Sequence, residues 1–326
     1  MEDWGLNKIL ITGGSGFLGS NLANELAKKK SNKVYIFDNN FRGNIKNLEK
    51  LNNLIFIKGD IRNTENLKKI IKKVDIVFHL AFINGTRNFY EKPDLVLDVG
   101  ITGTINIIKL INTTKNKVKK FIYASSSEIY QTPKKIPTPE DVQAIIPNLM
   151  NPRFSYGGAK MIGELLTLYL LKKSIKKIIF RPHNIYGPNM GSLHVVPQFL
   201  QKIKNKLKNL KKKTQKLTIK IQGNGKETRA FCYIKDAIDA IIILSKKGKD
   251  NEIYNIGNDK EYSIKELIKK IEKIVNVKIL VKSGKLEKGS TLRRCPNINK
   301  IKKLGYRPKW SLEKGLLYTS KNYIKS

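Results

Sequence analysis

The chain of 326 residues is poor in cysteine, histidine and arginine. Its two cysteines, Cys232 and Cys295, are isolated in the sequence and indicate neither a disulfide framework nor a metal cluster. No apolar run is long enough to span a membrane, and the acidic start Met-Glu-Asp-Trp has no signal-peptide pattern. We therefore expect a cytoplasmic protein that has no metal site and no membrane segment.

Acidic residues are also scarce, because 26 Asp and Glu stand against 64 Lys and Arg, which gives a formal net charge of +38. Such a charge is typical of proteins that bind nucleic acid or an anionic membrane. Here the lysines are spread over nearly every predicted helix, and aromatic residues do not alternate with them as a base-stacking platform requires. We expect solvated lysine faces and no nucleic-acid partner.

An apolar content of 40% is sufficient for a folded core. In the first half of the chain, short β-like runs alternate with amphipathic helical patterns, which predicts an α/β fold with a doubly wound parallel sheet of the Rossmann type. The predicted strands are Lys8–Thr12, Lys33–Phe37, Leu54–Ile57, Asp75–Leu80, Phe121–Ser125 and Lys177–Phe180. The predicted helices between them include Thr64–Lys72, Pro93–Ile111 and Ser155–Lys172.

After Pro182 the alternation loosens, and we predict a smaller C-terminal α/β domain that binds the substrate. The domain prediction is residues 1–182, with part of 229–257, for the dinucleotide domain and mainly 183–326 for the second domain. The densest basic run, Gln201–Lys216, has apolar residues at helical spacing and predicts an amphipathic helix. This helix either packs on the surface or attracts an anionic substrate.

A glycine-rich turn follows the first predicted strand, with Gly13, Gly16 and Gly19 ahead of a helical stretch predicted over Ser20–Lys28. Phe17 and Leu18, within this turn, are also predicted to contact the cofactor. Glycine-rich turns also serve simply as turns, but a bare turn at the first strand–helix junction favours dinucleotide binding. Backbone N–H groups and the helix dipole can there meet a pyrophosphate. We expect Gly13 to allow the tight turn and Gly16 to allow the close approach of a phosphate. We expect Gly19 to allow close packing of the helix against the sheet.

Asp38 ends the second predicted strand about twenty residues after this turn, where a carboxylate can accept hydrogen bonds from ribose hydroxyls. It would repel a 2′-phosphate, so NAD is favoured over NADP, although Arg42 is able to reach such a phosphate. The alternative for Asp38 is a turn or cap residue. Asp60 is predicted to hold the adenine amino group or to cap the next helix. Further predicted cofactor contacts are Asn39, Ile61, Leu80 and Ala81.

Tyr156 and Lys160 form a Tyr-x-x-x-Lys pattern on a predicted helix, which places both side chains on one face. A neighbouring ammonium lowers the pKa of a phenol, so the pair can deprotonate a sugar hydroxyl. Lys160 can also hold the nicotinamide ribose. The pattern alone is common and usually marks a surface pair.

A serine run at the end of the preceding strand gives the pattern weight. Ser126 can share a hydrogen bond with the reacting oxygen, and Ser127 belongs to the same candidate site. Glu128 can abstract a proton from a sugar carbon, or it can form a salt bridge with one of the many lysines. Both interpretations of Glu128 stay open.

With these residues in view, the whole chain resembles the extended short-chain dehydrogenase/reductase family, and within it the nucleotide-sugar epimerases and dehydratases. The matching motifs are Thr12–Gly19, Asp60–Arg62, His79–Ala81, Gly103–Thr104, Ser125–Tyr130, Tyr156 with Lys160, Arg181–Pro188, Gly223–Ile234, Arg293–Arg294 and Leu304–Pro308. The chain departs from the family pattern at Gly100, Phe82 and Gln131, and the stretch from Ile83 to Tyr90 is unusual. These departures should reshape the sugar pocket.

The resemblance implies an NAD that is reduced and reoxidised within one turnover, with Tyr156 as the base, Lys160 as its partner and Ser126 beside them. It implies a nucleotide-diphosphate sugar as substrate and a homodimer formed by helices near Pro93–Ile111 and Ser155–Lys172. The substrate-binding residues expected from it are Asn184, Val196, Arg229, Arg294 and Arg87.

All members of the resembled group first oxidise the sugar, usually at C4. Glu128 favours later chemistry at C5, as in a 4,6-dehydratase. The alternatives are a C4-epimerase of the UDP-glucose 4-epimerase type and a UDP-glucuronate decarboxylase. The non-enzymatic alternative is a catalytically silent dinucleotide-binding module.

Overall fold

The computed structural model describes residues 7–191, 194–208, 216–286 and 289–324. Within these residues the chain forms two compact units. The first unit takes the described parts of Met1–Ile129, Ala144–Pro182 and Ile238–Tyr254, and the second takes those of Tyr130–Gln143, His183–Ala237 and Asn255–Ser326.

Among the described residues, strands and helices alternate through the first unit. The strands are β1 (Lys8–Thr12), β2 (Lys33–Asp38), β3 (Leu54–Lys58), β4 (Ile76–His79), β5 (Lys120–Ala124), β6 (Lys176–Pro182), β7 (Ile185–Tyr186), β8 (Leu217–Lys220), β9 (Thr228–Ala230), β10 (Cys232–Tyr233), β11 (Glu252–Ile256), β12 (Glu261–Ser263), β13 (Ile279–Lys282) and β14 (Arg293–Arg294). The helices are α1 (Phe17–Ala27), α2 (Thr64–Ile71), α3 (Thr86–Glu91), α4 (Pro93–Leu97), α5 (Gly103–Thr113), α6 (Ser155–Leu165), α7 (Val195–Lys208), α8 (Ile234–Lys247), α9 (Ile264–Val275), α10 (Asn299–Lys302) and α11 (Leu312–Ile324).

A seven-stranded sheet has the order β11-β6-β5-β4-β1-β2-β3, and its strands from β6 to β3 run parallel. The order reverses between β1 and β4, which confirms the doubly wound Rossmann-type fold. Strand β1 shows why these residues form such a sheet. Its Ile9, Leu10 and Ile11 are at most 2% exposed, because helices cover both faces of a parallel sheet.

Two helical segments of the first unit contain π-helical turns. Residues Asp98–Thr102 join α4 to α5, and Leu166–Leu170 extend α6. Small residues let α6 lie close to the sheet, because a Cβ added at Gly163 would collide with the hydroxyl group of Tyr123 on β5. This close packing sets the position of the candidate catalytic residues on α6.

The second unit contains small sheets with the orders β10-β7, β12-β9-β14 and β13-β8. Its helix α7 carries part of the basic run, and the apolar residues Leu200 and Ile203 of this helix are fully buried. Residues 209–215 of that run lie outside the described residues. No helix that the structure describes is long and apolar enough to cross a membrane.

Candidate active site

The glycine turn after β1 is fixed by steric contacts. Gly13 has a φ of +69°, and a Cβ added there would lie 2.6 Å from the backbone of Ala81, which follows β4. A Cβ at Gly19 would collide with the carbonyl oxygen of Gly13, so helix α1 packs onto the turn itself. Gly14, which the sequence analysis did not single out, makes the contact with the sheet, because its Cβ would meet Ile36 of β2.

Gly16 leaves open the face that a phosphate would approach. It is the N-cap residue of α1, no side chain caps the helix, and the first turn carries no acidic residue. A Cβ at Gly16 would meet a single neighbour, the carbonyl oxygen of Gly13 at 3.2 Å. The N–H groups of Phe17 and Leu18 therefore begin a helix end that suits a pyrophosphate.

Asp38 holds the loop beside this turn. Its carboxylate accepts hydrogen bonds from the backbone N–H groups of Ser15 (3.0 Å) and Asn40 (2.8 Å). Asp38 is therefore a turn residue in this structure. An ionised carboxylate has about four acceptor positions, so two remain that can take ribose hydroxyls. The turn and Asp38 together fit the adenosine diphosphate part of a dinucleotide.

Asp60 is bound by Arg62, whose Nε and Nη2 atoms lie 3.0 and 2.8 Å from the two carboxylate oxygens. Asn39 donates a further hydrogen bond of 2.9 Å to Asp60. The hydrogen bonds from Arg62 lower the pKa of Asp60 to about 2. The suggestion that Asp60 caps the next helix is wrong, because Asn63 is the N-cap of α2 and accepts from the N–H of Glu65.

Strand β4 ends at His79 and is followed by Leu80 and Ala81, at the place where the strand order reverses between β1 and β4. His79 is fully buried between the hydroxyl groups of Thr12 (2.7 Å) and Thr104 (3.0 Å). Burial lowers the pKa of His79 to about 3, so it stays neutral and structural. Ile61, another predicted cofactor contact, is buried and packs against Gly103.

Tyr156 and Lys160 lie in the first turns of α6 and are 6% and 3% exposed. Ser126, just after β5, lies beside the phenol of Tyr156 and lowers its pKa. Its hydroxyl group accepts the N–H of Glu128 at 3.1 Å. The Nζ atom of Lys160 donates a hydrogen bond of 2.5 Å to the carbonyl oxygen of Ala124. The structure thus brings the predicted tyrosine, lysine and serine together in a covered site.

The expected lowering of the phenol pKa by the neighbouring ammonium is wrong for this structure. Burial raises the pKa of Tyr156 to about 12, although the hydrogen bond from Ser126 and the charge of Arg42 oppose this rise. Burial also lowers the pKa of Lys160 to about 7. Removal from water is the largest cause of both pKa shifts.

Glu128 lies in a 3₁₀ turn, Ser127–Tyr130, directly after the serine run, and Ser127 is buried there. The guanidinium group of Arg153 is 3.8 Å from the Glu128 carboxylate. Arg153 sits just before α6 in a 3₁₀ turn that Asn151 caps. The contact between Arg153 and Glu128, which are 25 residues apart in sequence, depends on the fold.

Two aromatic rings enclose Tyr156. Phe89 on α3 stacks on its ring, with centroids 4.6 Å apart at 17°, and Phe82 meets it edge-on at 5.2 Å and 85°. Both phenylalanines lie in the part of the sequence that departs from the family pattern. Arg87, on the same short helix as Phe89, instead pairs with Glu91 at 2.7 Å and has 70% of its side chain exposed.

The second unit holds the other predicted substrate residues. Strands β9 and β14 pair so that Arg229 and Arg294 are register partners. Arg229 donates to the carbonyl oxygens of Thr228 and Thr291, at 2.7 and 2.6 Å, which orients its guanidinium. The remaining predicted residues are Asn184, which has a φ of +41°, and Val196, which is 2% exposed on α7.

Comparison with known proteins agrees with this architecture. A model of the NAD-dependent epimerase/dehydratase family matches residues 9–257. The dTDP-D-glucose 4,6-dehydratase of Dictyostelium discoideum is 36% identical over 292 residues, which cover 85% of this chain and 64% of that protein. The UDP-N-acetyl-alpha-D-glucosaminuronate decarboxylase of Bacillus cytotoxicus is 32% identical over 325 residues, which cover 96% of each chain.

A solved structure is also similar, that of a mutant UDP-glucuronic acid 4-epimerase from Bacillus cereus in complex with UDP-4-deoxy-4-fluoro-glucuronic acid and NAD. Its TM-score is 0.84 at 30% identity, with 98% of this chain and 99% of that chain covered. The chain described here belongs to the NAD-dependent epimerase/dehydratase family. Its cofactor is NAD, which the open glycine turn and Asp38 fit.

Proposed function

We propose that the protein oxidises a nucleotide-diphosphate sugar, at C4, to a 4-keto intermediate and then acts at C5 through Glu128, as a 4,6-dehydratase does. The observation that supports this best is that the buried Tyr156 lies beside Ser126, with Glu128 two residues further along the chain. Tyr156 can then accept a proton from a sugar hydroxyl, and Glu128, in a neighbouring segment, can accept a proton from a sugar carbon.

In this proposal the family cofactor supplies the hydride acceptor for the sugar carbon. Tyr156 takes the proton from the C4 hydroxyl, and Ser126 holds the same oxygen in place. Lys160 stabilises the phenolate and binds the nicotinamide ribose. Because the pKa of Tyr156 is about 12 in the protein alone, the base form needs that positive charge close to it when the site is filled.

We assign the cofactor's pyrophosphate to Gly13, Gly16 and the α1 residues Phe17, Leu18 and Gly19. The adenosine end belongs to Asp38, Asn39, Asp60 and Ile61, and the nicotinamide end to Leu80, Ala81, Tyr156 and Lys160. The carboxylate of Asp38 favours NAD over NADP, since a 2′-phosphate would meet a negative charge.

The substrate diphosphate is assigned to Arg229, Arg294 and Asn184, with Val196 and Arg87 as further contacts. A guanidinium fork matches two phosphate oxygens at once, a geometry that a lysine does not offer. In a chain with nine arginines among 64 basic residues, the register pairing of Arg229 with Arg294 supports this assignment.

In the step at C5, Glu128 takes the C5 proton of the 4-keto sugar and passes it to the C6 hydroxyl, which leaves as water. The hydride removed at C4 would then return to C6 while C5 takes a proton from solvent, so that the cofactor ends the cycle oxidised. Oxidation at C4 is what makes the C5 proton acidic, so the two steps must follow in this order. Ser127, buried beside Glu128, is proposed to orient the C6 hydroxyl.

One observation favours decarboxylation of a hexuronate as the second candidate. Arg153 lies beside Glu128, is largely buried, and its Nε atom has no hydrogen-bond partner among the described residues. Such a cation can bind a C5 carboxylate, and the Bacillus cytotoxicus relative is named for decarboxylating a UDP-sugar acid. A C4-epimerase would need neither Glu128 nor Arg153.

We also propose a homodimer in the cytoplasm. The faces of α4 and of the helical segment 155–170 expose several large apolar side chains, namely Leu97, Ile162, Leu165, Tyr169 and Leu170. Tyr169 is 80% exposed. A group of large exposed apolar side chains is typical of a surface that binds another protein. Light scattering of the purified protein tests this proposal, and a monomer at micromolar concentration would contradict it.

The decisive experiment presents purified protein with UDP-, GDP-, CDP- and dTDP-linked hexoses and hexuronates. The readouts are the NADH absorbance band and the product mass. Loss of water from a hexose supports the first candidate, and loss of carbon dioxide from a hexuronate supports the second. An unchanged mass with inverted C4 indicates an epimerase, and no NADH with any sugar leaves the binding-module alternative.

A further inference from the structure

The ammonium group of Lys160 lies against an aromatic face. Its Nζ atom is 3.8 Å from the ring centroid of Phe82, and 5.1 and 5.9 Å from the ring centroids of Tyr123 and Tyr156. A cation over a ring face is stabilised by the ring quadrupole, whereas a neutral amine is not. Phe82 is the nearest of these rings and therefore the one that most favours the charged form.

Gly100 makes room for this ring. A Cβ added at Gly100 would collide with the Cζ atom of Phe82 and would lie 3.2 Å from the Cβ of Ala159 on α6. Gly100 lies within a helical segment and has no positive φ, so its backbone conformation does not require glycine. The space that Phe82 occupies is therefore the reason for a glycine here.

Phe82 and Phe89 divide the contacts of the site between them. Phe82 touches both Lys160 and Tyr156, whereas Phe89 stacks on Tyr156. Variants of the two phenylalanines can therefore be compared. Phe82 contacts the ammonium group of Lys160, whereas Phe89 contacts the phenol ring of Tyr156.

We propose that Phe82, seated over Gly100, is a positioning residue that holds Lys160 as an ammonium ion beside Tyr156. The inference rests on the proposed function in one respect, namely the use that catalysis makes of this ammonium. The contact itself is a property of the protein without substrate.

Other charged groups near Lys160 leave a role for the ring. The titratable groups that face Lys160 are Tyr156 and Glu164 on α6, Tyr123 on β5, and His79 on β4, with Arg181 of β6 bound to Glu164 at 2.7 Å. Glu164 raises the pKa of Lys160, but its charge is shared with Arg181. Burial keeps His79 and the two phenols uncharged at neutral pH.

The test is the pH dependence of acetylation of Lys160 by acetic anhydride, read by peptide mass spectrometry on the whole protein. Phe82→Leu keeps apolar cover but removes the ring face, so we expect the labelling midpoint of Lys160 to fall by about one pH unit. Phe89→Leu removes a ring of the same kind that does not face the ammonium, and should leave the midpoint unchanged.

A midpoint in Phe82→Leu that stays unchanged or rises would overturn the proposal, because the ring would then act only as a wall against water. Gly100→Ala provides a second route, since its Cβ displaces the ring. We expect the same fall in Gly100→Ala, and no additional fall when it is combined with Phe82→Leu. Circular dichroism verifies that each variant is folded.

Turnover measured in parallel separates this proposal from the proposed function. If the midpoint falls as expected but no nucleotide sugar is oxidised, the proposed function alone is wrong. If C4 oxidation occurs and the midpoint does not fall, the role of Phe82 alone is wrong.

Discussion

The guanidinium group of Arg153 lies 3.8 Å from the carboxylate of Glu128, with 11% and 22% of the two side chains exposed. The pair places a carboxylate beside a largely buried cation at the candidate site. Arg153 lies in the 3₁₀ turn just before α6, and Glu128 lies in the 3₁₀ turn that follows β5 and Ser126, so the pair connects the two segments that carry Tyr156 and Ser126.

The first prediction concerns Glu128→Gln, which keeps the shape of the side chain and removes the proton acceptor. We expect NAD reduction by the correct sugar to continue, while exchange of solvent deuterium into C5 falls by about 10²-fold or more. Mass spectrometry of the recovered sugar measures this. Glu25→Gln, on an exposed carboxylate, is the control and should exchange normally. Inversion at C4 without C5 exchange in the unaltered protein would refute the role of Glu128.

The second prediction uses Arg153→Lys to separate the two candidate reactions. A lysine keeps the charge but not the two-pronged donor geometry. If the substrate is a hexuronate, KM should rise about tenfold or more while kcat changes less, because the loss is one of binding. Steady-state kinetics on matched hexose and hexuronate substrates measure it. An equal effect on both substrates would show that Arg153 does not read the carboxylate.

The third prediction is that Tyr156→Phe strongly slows NADH formation and preserves NAD binding. The change removes one hydroxyl group and retains the ring that Phe89 stacks on. General acid–base groups contribute about 10² to 10⁴ in rate, so a loss in this range is expected. Stopped-flow absorbance follows the chemistry, and fluorescence titration with NAD is the binding control. A variant that still forms NADH at the normal rate would assign the base to another residue.

Local patterns in the sequence predict the sheet, the glycine turn and the Tyr156–Lys160 pair because each depends on residues close together in the chain. The pKa of Tyr156 could not be predicted in this way, since burial by distant elements determines it. The same is true of the aromatic enclosure by Phe82 and Phe89, which lie on elements other than α6. No local pattern in the sequence predicts that residues 130–143 belong to the second unit.

A local ambiguity explains the one misassigned cap. Asp60 and Asn63 are both good N-cap residues, and both precede the same helical run. Arg62 binds Asp60 with three hydrogen bonds, so Asn63 takes the cap of α2. The choice depends on where Arg62 points, and Arg62 in turn is held at 2.8 Å by Asp98, which is 36 residues away in sequence.

The fourth prediction compares two glycines of the turn. Gly13→Ala places a side chain at φ +69° and 2.6 Å from the backbone of Ala81, so it should destabilise the fold by more than about 2 kcal/mol. Gly16→Ala meets only one backbone oxygen and should cost about 1 kcal/mol or less. It should still weaken NAD binding, because its methyl group projects into the open face. Urea unfolding and NAD titration of both variants measure the two effects. Equal stability losses would contradict the steric assignment.

The fifth prediction concerns the stability cost of burying Lys160. Its pKa is about 7 in the folded chain and 10.5 when exposed, so the unfolded chain binds more protons between these values. The free energy of unfolding therefore rises as the pH increases from 7 to 10.5. Below pH 7 the full cost of burying the charged Lys160 applies.

Lys160→Met removes this penalty and also gives up the hydrogen bond to Ala124. We expect a net gain of about 1–2 kcal/mol in the free energy of unfolding near pH 6, shrinking toward zero near pH 10. Urea denaturation across this range measures it, with Lys109→Met, on an exposed lysine, as the control that should show no such trend. A gain that is constant with pH, or that grows as the pH rises, would mean that the lysine is not buried as an ammonium. Tyr156 and Lys160 would then lie together without the loss of stability that burial of the Lys160 ammonium causes.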